Sequence, residues 1–478
     1  MNERATRIVL AVVTVVVLLA VLAFIAVSRD VPPIEDAPPP AYPQTPAEPR
    51  AALRYDTEYP AIGYATTART DAVAELEARL ASGAAVLEHD ASRGYLAGLL
   101  GALDIGVESQ VLVFSKTSVQ AQIITATTPR AIYFNDDTYV GWVPGSRTLE
   151  IASLDPRLGP VFYTLAQDSA APVGFERHLG ECLRCHDSYS LTGGGVPRFI
   201  TGSGYTDVAG NLVAHEGWIL TSDRTPLKSR WGGWYVSGYH GEQVHLGNIA
   251  VHDVAELLEL ETLRTGNLEN LDKVLDTSAY LSNKSDIVAL LVLEHQVRVQ
   301  NAITRVNYDV RTLLEGPPRA PDAPPVGASS ARDLRAGRDN PVGASSARDL
   351  PARIAELAEP LVEALFLAGE IDLTDRISGT SGFAAAFEAR GPRDSNGRSL
   401  RELDLTTRLF KYPLSYAIYS HAFDALPAEA KDYVYARIRE ILAGDDESEA
   451  FARLSAADRA AILEILRDTK PDFAATVL

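Results

Sequence analysis

The most chemically loaded stretch of this chain is Glu181-Cys-Leu-Arg-Cys-His186. Two thiols three positions apart lie about one helical turn from each other, so both can form thioethers to the vinyl groups of one haem. The His beside the second Cys is then brought under the iron as proximal ligand. The spacing points to one covalent haem c, with Cys182 and Cys185 as attachment residues and His186 as axial ligand to the haem iron. Two rival chemistries use the same thiols. A redox-active Cys-x-x-Cys wants a thioredoxin-like βαβ setting, which the surrounding sequence, running on into Gly193-Gly194-Gly195, does not offer. A zinc site could draw on Cys182, Cys185, His240 and His245, but the gap between its halves is far longer than in a zinc finger.

The sixth iron position is constrained by composition. Met1 is the only methionine, so a His/Met carrier is excluded, leaving bis-His ligation, another side chain or an open iron. Three histidines are distal candidates. His295 falls on an apolar stripe in step with Val288, Val292, Val299 and Ile303, where the competing reading is a core His bonded to a neighbour. His240 and His245 flank Gly241-Glu242-Gln243, a hairpin-turn signal that competes with ligation. His178 and His215 are weaker candidates. Trp231 and Trp234 offer rings to pack on a haem, and Arg230 or Arg198 a guanidinium for a propionate. Ordinary aromatic core is the alternative. Asn135-Asp136-Asp137 reads as a turn before it reads as a cation site.

These residues need elements to position them. Residues 71–80 have a helical pattern, and Val111–Phe114, Ala131–Phe134 and Tyr139–Val143 read as strands. Residues 193–248, rich in Gly and aromatics, read as short strands and loops. Helices are expected over 254–275 and from Asp286 to Leu314, where the apolar positions recur at helical period. Beyond residue 351 the chain reads as mostly helical, with Pro427 at a helix start, Gly444 after its end and Ser455 as a cap. Pro325–Leu334 recurs as Pro341–Leu350, two copies of a polar unit, too few for a solenoid.

Before all this, Ile8–Val27 is an uncharged run of 20 residues preceded by Arg4 and Arg7. At about 1.5 Å per residue it matches a bilayer core, with the N-tail cytoplasmic and the bulk of the chain outside. A cleaved signal peptide ending near Ala26-Val27-Ser28 is the alternative and gives the same side. Val31–Pro49 is a Pro-rich tether. The expected fold class is α+β: an N-terminal transmembrane helix, a β-rich haem-binding region and a mostly α-helical C-terminal region. The expected divisions are a tail over 1–7, an anchor over 8–28, a tether over 29–52, a haem-binding domain over 53–315, an insertion over 316–350 and a helical region over 351–478.

The 478 residues carry 44 Lys+Arg against 63 Asp+Glu, a net charge of −19. That excludes nucleic acid as an expected partner and suits docking to a basic exported redox protein. With only two cysteines there is no disulfide framework.

Several segments together carry a resemblance. They are RAIYFNDDTYVGWV (130–143), ECLRCH (181–186), RWGGWYVSGYHGEQVHLGN (230–248), EHQVRVQNAITRVNYD (294–309) and LFKYPLSYAIYSHAFDALP (409–427). They resemble a poorly characterised family of exported bacterial proteins with a monohaem cytochrome c domain, over about residues 85–445 without the 320–350 insertion. The resemblance implies haem binding and electron transfer, with no known substrate. The family pattern has Met after the second His of H-x4-H. Here that residue is Leu246, so a Met ligand does not carry over. The expected function is a membrane-anchored monohaem cytochrome exchanging electrons with an exported partner. The alternatives are a haem enzyme whose open iron site acts on peroxide or another small molecule, and a haem-based sensor or interaction module.

Overall fold

The computed structural model describes residues 56–188, 191, 195–213, 217–252, 256, 264, 266–316 and 349–475. The chain divides into two units, Met1–Leu53, outside the described residues, and Arg54–Leu478. The second unit is built on a seven-stranded sheet in the order β10-β1-β2-β3-β4-β5-β6. Its strands are β1 (Val111–Val113), β2 (Arg130–Phe134), β3 (Thr138–Trp142), β4 (Thr148–Asp155), β5 (Gly159–Ala166), β6 (Phe175–Arg177) and β10 (Trp234–Tyr235), and every pairing is antiparallel. Between β6 and β10 lie the two-residue strands β7 (Gly202–Ser203), β8 (Thr206–Asp207) and β9 (Ile219–Leu220). β11 (Ala250–Val251) follows and pairs with β8.

Alternation along the strands divides the interior into two cores. Leu112, Phe114, Tyr133, Val140, Ile151 and Tyr163 face one side, which α1 (Ala72–Ala81) and α2 (Leu96–Ala102) cover. Val111, Val113, Phe134 and Tyr139 face the other, which is packed by helices. The short α3 (Leu183–His186) holds the thiol motif. α4 (Ile287–Glu315) is the longest helix among the described residues. Then come α5 (Leu350–Leu365), α6 (Phe383–Ala389), α7 (His421–Asp424), α8 (Ala428–Ala443), α9 (Ala456–Thr469) and α10 (Pro471–Ala475). Gly444 stops α8 in the left-handed conformation, and Ser455 with Asp458 forms a capping box on α9.

α4 crosses the ends of the strands. Asp286 caps it, accepting from Val288 N at 2.8 Å and Ala289 N at 3.3 Å, and also accepts from Thr380 N and Ser381 N at 2.7 and 2.8 Å. Further along, Gln296 donates to the carbonyl of Asn135 and Tyr308 to that of Leu158, each at 2.8 Å. The helix therefore contacts the β2–β3 and β4–β5 turns.

Two expectations are corrected. The fold class is α+β around an antiparallel sheet, but its transmembrane helix is not part of the described fold: no helix among the described residues is long and apolar enough to cross a membrane. α4 has the length, yet it carries Glu294, His295, Gln296, Arg298, Gln300 and Asn301 near its middle. The expected span Ile8–Val27 lies outside the described residues, as do the tether and both repeat copies, save Asp349 and Leu350. The helix expected over 254–275 is replaced, where the chain is described from 266 to 275, by turns that bury Leu271 and Leu275. An apolar residue every few positions anchors a turn as well as a helix.

Asp286 joins four backbone N–H groups from two segments at a fully buried position. Asp286→Ala should lower unfolding free energy by about 3 kcal/mol, the sum of a lost cap and stranded donors. Urea denaturation of the two proteins checks this, and a loss below about 1 kcal/mol would show that the cap does not hold α4.

Candidate functional site

The thiol motif forms a single helical turn. Cys182 precedes α3, and the amide of His186 donates to the Cys182 carbonyl at 3.1 Å. Both cysteines are free, Cys185 exposed and Cys182 half-buried. His186 lies against the sheet, its ring centre 4.4 Å from that of Phe162 on β5. Its Nδ1 is 2.7 Å from the carbonyl oxygen of Arg198. A carbonyl only accepts, so Nδ1 carries the proton and the lone pair is on Nε2. Burial holds the His186 pKa below its ordinary value, with the Arg198 carbonyl opposing and the Arg130 charge adding to the fall. The imidazole is therefore neutral, with Nε2 available to a metal.

Phe199 transmits the position of α4 to this site. Its N–H donates to Asn301 Oδ1 and its carbonyl accepts from Asn301 Nδ2, both at 2.9 Å. The residue before it is Arg198, so the carbonyl that orients His186 hangs directly from this clamp. Arg198 is half-buried, and its Nε–H has no partner among the described residues. Next to His186, the same face of the sheet carries the Arg130–Glu150 ion pair at 2.8 Å. It also carries Thr164, whose hydroxyl is 2.8 Å from His178 Nε2. Beside the motif is a cleft of about 330 Å³ lined by Leu179 and Leu183 on one side and Thr57, Gly63, Tyr64 and Thr66 on the other.

The chemistry of this donor set fits a haem c: two unpaired thiols one turn apart, a neutral His oriented by a carbonyl, and an unpartnered guanidinium N–H for a propionate. It does not fit thiol redox. Burial, the charges of Glu150 and Glu181, and Cys185 push the Cys182 thiol up to about 12, whereas a redox thiol needs a stabilised thiolate.

The structure brings Cys182, Cys185, His186 and Arg198 together and sets the other candidates elsewhere. Trp234 is on β10, one edge of the sheet, its Nε1 donating to the Gly202 carbonyl at 2.8 Å. Five inter-strand spacings separate β10 from β5, about 24 Å. Arg230 is buried in an ion pair with Glu294 at 3.0 Å. Trp231 packs on His245, ring centres 5.3 Å apart, and His245 on His240 at 4.7 Å. This group belongs to the N-terminal end of α4, where Ile287 N donates to the Ser237 carbonyl at 2.9 Å. Ile287 and Asn301 are fourteen helical residues apart, about 21 Å. The ring contacts of His240 and His245 are with each other and with Trp231, whereas His186 contacts Phe162 and the Arg198 carbonyl. Among the described residues no group of three or more His, Cys, Asp or Glu side chains comes together to hold a metal, so His240 and His245 form no zinc site shared with the thiols. His215 lies outside the described residues. Asn135 closes a turn by accepting from Asp137 N and Thr138 N at 3.1 and 2.9 Å.

His295 has both nitrogens engaged. Nδ1 is 2.8 Å from Asp223 Oδ2 and Nε2 is 2.8 Å from Ser415 Oγ. The order Asp–His–Ser matches a nucleophilic triad. However, His295 and Ser415 are both fully buried, and the Ser415 hydroxyl also accepts from Ala417 N. Arg298 adds a second bond to Asp223 at 2.6 Å. The group holds together the loop at 223, α4 and the segment before α7. Neither Asp223 nor Ser415 had a sequence signal, because their partners are 72 and 120 positions away.

No family model matches the chain, and no curated protein or solved structure matches it.

Burial alone would raise the Asp223 pKa, but the His295 hydrogen bond and the charges of His295 and Arg298 bring it down to about 2. A carboxyl depressed in the folded state contributes stability above its unfolded pKa, near 4, and loses that contribution as pH falls toward 2. The shift corresponds to about 2 kcal/mol. The chain should therefore lose about that much stability between pH 4 and pH 2, and Asp223→Asn should show a flatter profile there. Equal acid slopes in the two proteins would remove Asp223 as the cause.

Proposed function

We propose that this protein is an exported c-type haem protein, its haem attached through Cys182 and Cys185 with His186 Nε2 as proximal ligand. The observation that carries the reading is the 2.7 Å contact from His186 Nδ1 to the Arg198 carbonyl. It selects the tautomer an iron ligand needs, on a turn whose two thiols are both free. When bound, haem iron supplies one-electron chemistry. The chain's own part is to hold and orient it: Asn301 clamps Phe199, Arg198 accepts the His186 proton at its carbonyl and offers its Nε–H to a propionate, and Phe162 backs the imidazole.

Electron exchange with another exported protein is the reading we favour. Cys185 is exposed, so a group attached there lies at the surface within reach of a partner. The net charge of −19 suits a basic one. Export would be directed by Arg4, Arg7 and the apolar run Ile8–Val27. A second reading, a haem open to a small ligand such as peroxide, is favoured by one observation. His295 has both ring nitrogens bonded, to Asp223 and Ser415, and His178, on the same face as His186, is bonded to Thr164.

Protein matured with haem should keep the pigment through denaturing electrophoresis, and the Cys182→Ala/Cys185→Ala double variant should lose it. Pigment that persists in the double variant would end the proposal. His240→Ala and His245→Ala should leave the optical and EPR spectra unchanged. A change of spin state in either would restore a distal role to that residue. Rapid cyanide or CO binding to a high-spin ferric protein would select the second reading over simple electron exchange.

A further inference from the structure

The loop from Arg230 to Asn248 holds a second constellation that the proposed haem does not use. His240 and His245 are 4 % and 6 % exposed, with ring centres 4.7 Å apart and planes at 70°. His240 Nδ1 is 2.6 Å from the Gln243 carbonyl, so Nδ1 carries the proton and Nε2 the lone pair. That Nε2 is buried and has no partner among the described residues. The same arrangement orients ligating histidines in metal sites. His245 is the complementary tautomer: its Nδ1 accepts from Gly247 N at 3.0 Å, which puts its lone pair on Nδ1. His240 thus offers an unengaged lone pair at Nε2, while the lone pair of His245 is held by the Gly247 N–H, from which an ion must take it.

The loop is braced. Asp375 Oδ2 accepts from Glu242 N at 2.9 Å, and the Gln243 side chain spans from the His240 carbonyl to the Asp375 carbonyl and the Thr374 N–H. Trp231 and Asn248, at the two ends, both have φ of +68°, a conformation that non-glycine residues hold only where surrounding contacts enforce it. The Trp231 indole N–H, 1 % exposed beside His245, also has no partner. An unpartnered buried lone pair in a rigid loop needs an explanation.

We infer that His240 and His245 form a binding site for one divalent transition-metal ion, separate from the thiol motif. Two imidazoles bound at about 2.0–2.1 Å to one tetrahedral ion place their ring centres about 5 Å apart, close to the spacing found. Imidazole ligation selects the zinc, copper and nickel class over magnesium or calcium. His240 binds through Nε2. His245 binds through Nδ1, and the ion takes the place of the Gly247 N–H. No third His, Cys, Asp or Glu completes a cluster among the described residues, so the remaining positions fall to exogenous ligands entering past the exposed Gly241–Glu242 turn. Arg264 is close enough to act on His245 electrostatically, and its charge keeps the affinity below that of a closed structural zinc site.

The test uses the full chain, haem-loaded, and the Cys182→Ala/Cys185→Ala variant, with Zn²⁺ as the probe in equilibrium dialysis. One Zn²⁺ per chain is expected in both, which separates this site from the haem proposal. His240→Ala and His245→Ala should each weaken binding at least tenfold, with His178→Ala unchanged. Absence of stoichiometric Zn²⁺, or equal affinity in His240→Ala, would overturn the inference. Should an Ala variant fail to fold, the wild-type chain still decides: its melting temperature should rise with Zn²⁺ and fall back with chelator, and no rise would equally overturn it.

Discussion

Asn301 holds the backbone of Phe199 with paired hydrogen bonds, and much else depends on that grip. It ties a loop that has little regular structure to α4. The Arg198 carbonyl, one residue away, can then choose the tautomer of His186. Because α4 is itself capped by Asp286 and packed along the strand ends, the position of an imidazole over β5 is referred back to the whole sheet. Tautomer selection needs a donor–acceptor distance held to a few tenths of an ångström. A loop alone does not hold one.

The same helix explains why the polar candidates separate. Glu294, His295, Gln296 and Asn301 occupy one stretch of α4, yet each serves a different segment. Glu294 takes Arg230, His295 joins Asp223 to Ser415, Gln296 reaches Asn135, and Asn301 clamps Phe199. A helix turns about 100° per residue, so neighbours in sequence look in different directions. What reads as one polar patch is a row of separate fasteners, each satisfying buried groups that would otherwise cost stability.

Much of the architecture is legible from residue patterns. Val111–Phe114 and Tyr139–Val143 give strands because they are short β-branched and aromatic runs, and they are buried on both faces of the sheet. The stripe from Val288 to Val306 gives α4, and Pro427, Gly444 and Ser455 mark helix ends through local sterics and local hydrogen bonds. Where the pattern is ambiguous, as over 266–275, an apolar residue every few positions anchors turns instead. The assignment of His295 to an apolar stripe holds, and its burial is complete. Its partners were not legible, since nothing local specifies a residue more than 70 positions away.

By itself the sequence determined the pairing of thiols and His in Cys182-Leu-Arg-Cys185-His186, because that spacing depends only on the pitch of one helical turn. It likewise determined that methionine ligation beyond Met1 is ruled out, since composition needs no fold. Only the tertiary structure decided which histidines share a site. The packing sets His240 against His245 and Trp231, and His186 against Phe162 and the Arg198 carbonyl. The physical reason is that strand order and helix placement arise from packing between segments far apart in the chain, and that packing sets which imidazole lone pairs lie within reach of one metal ion.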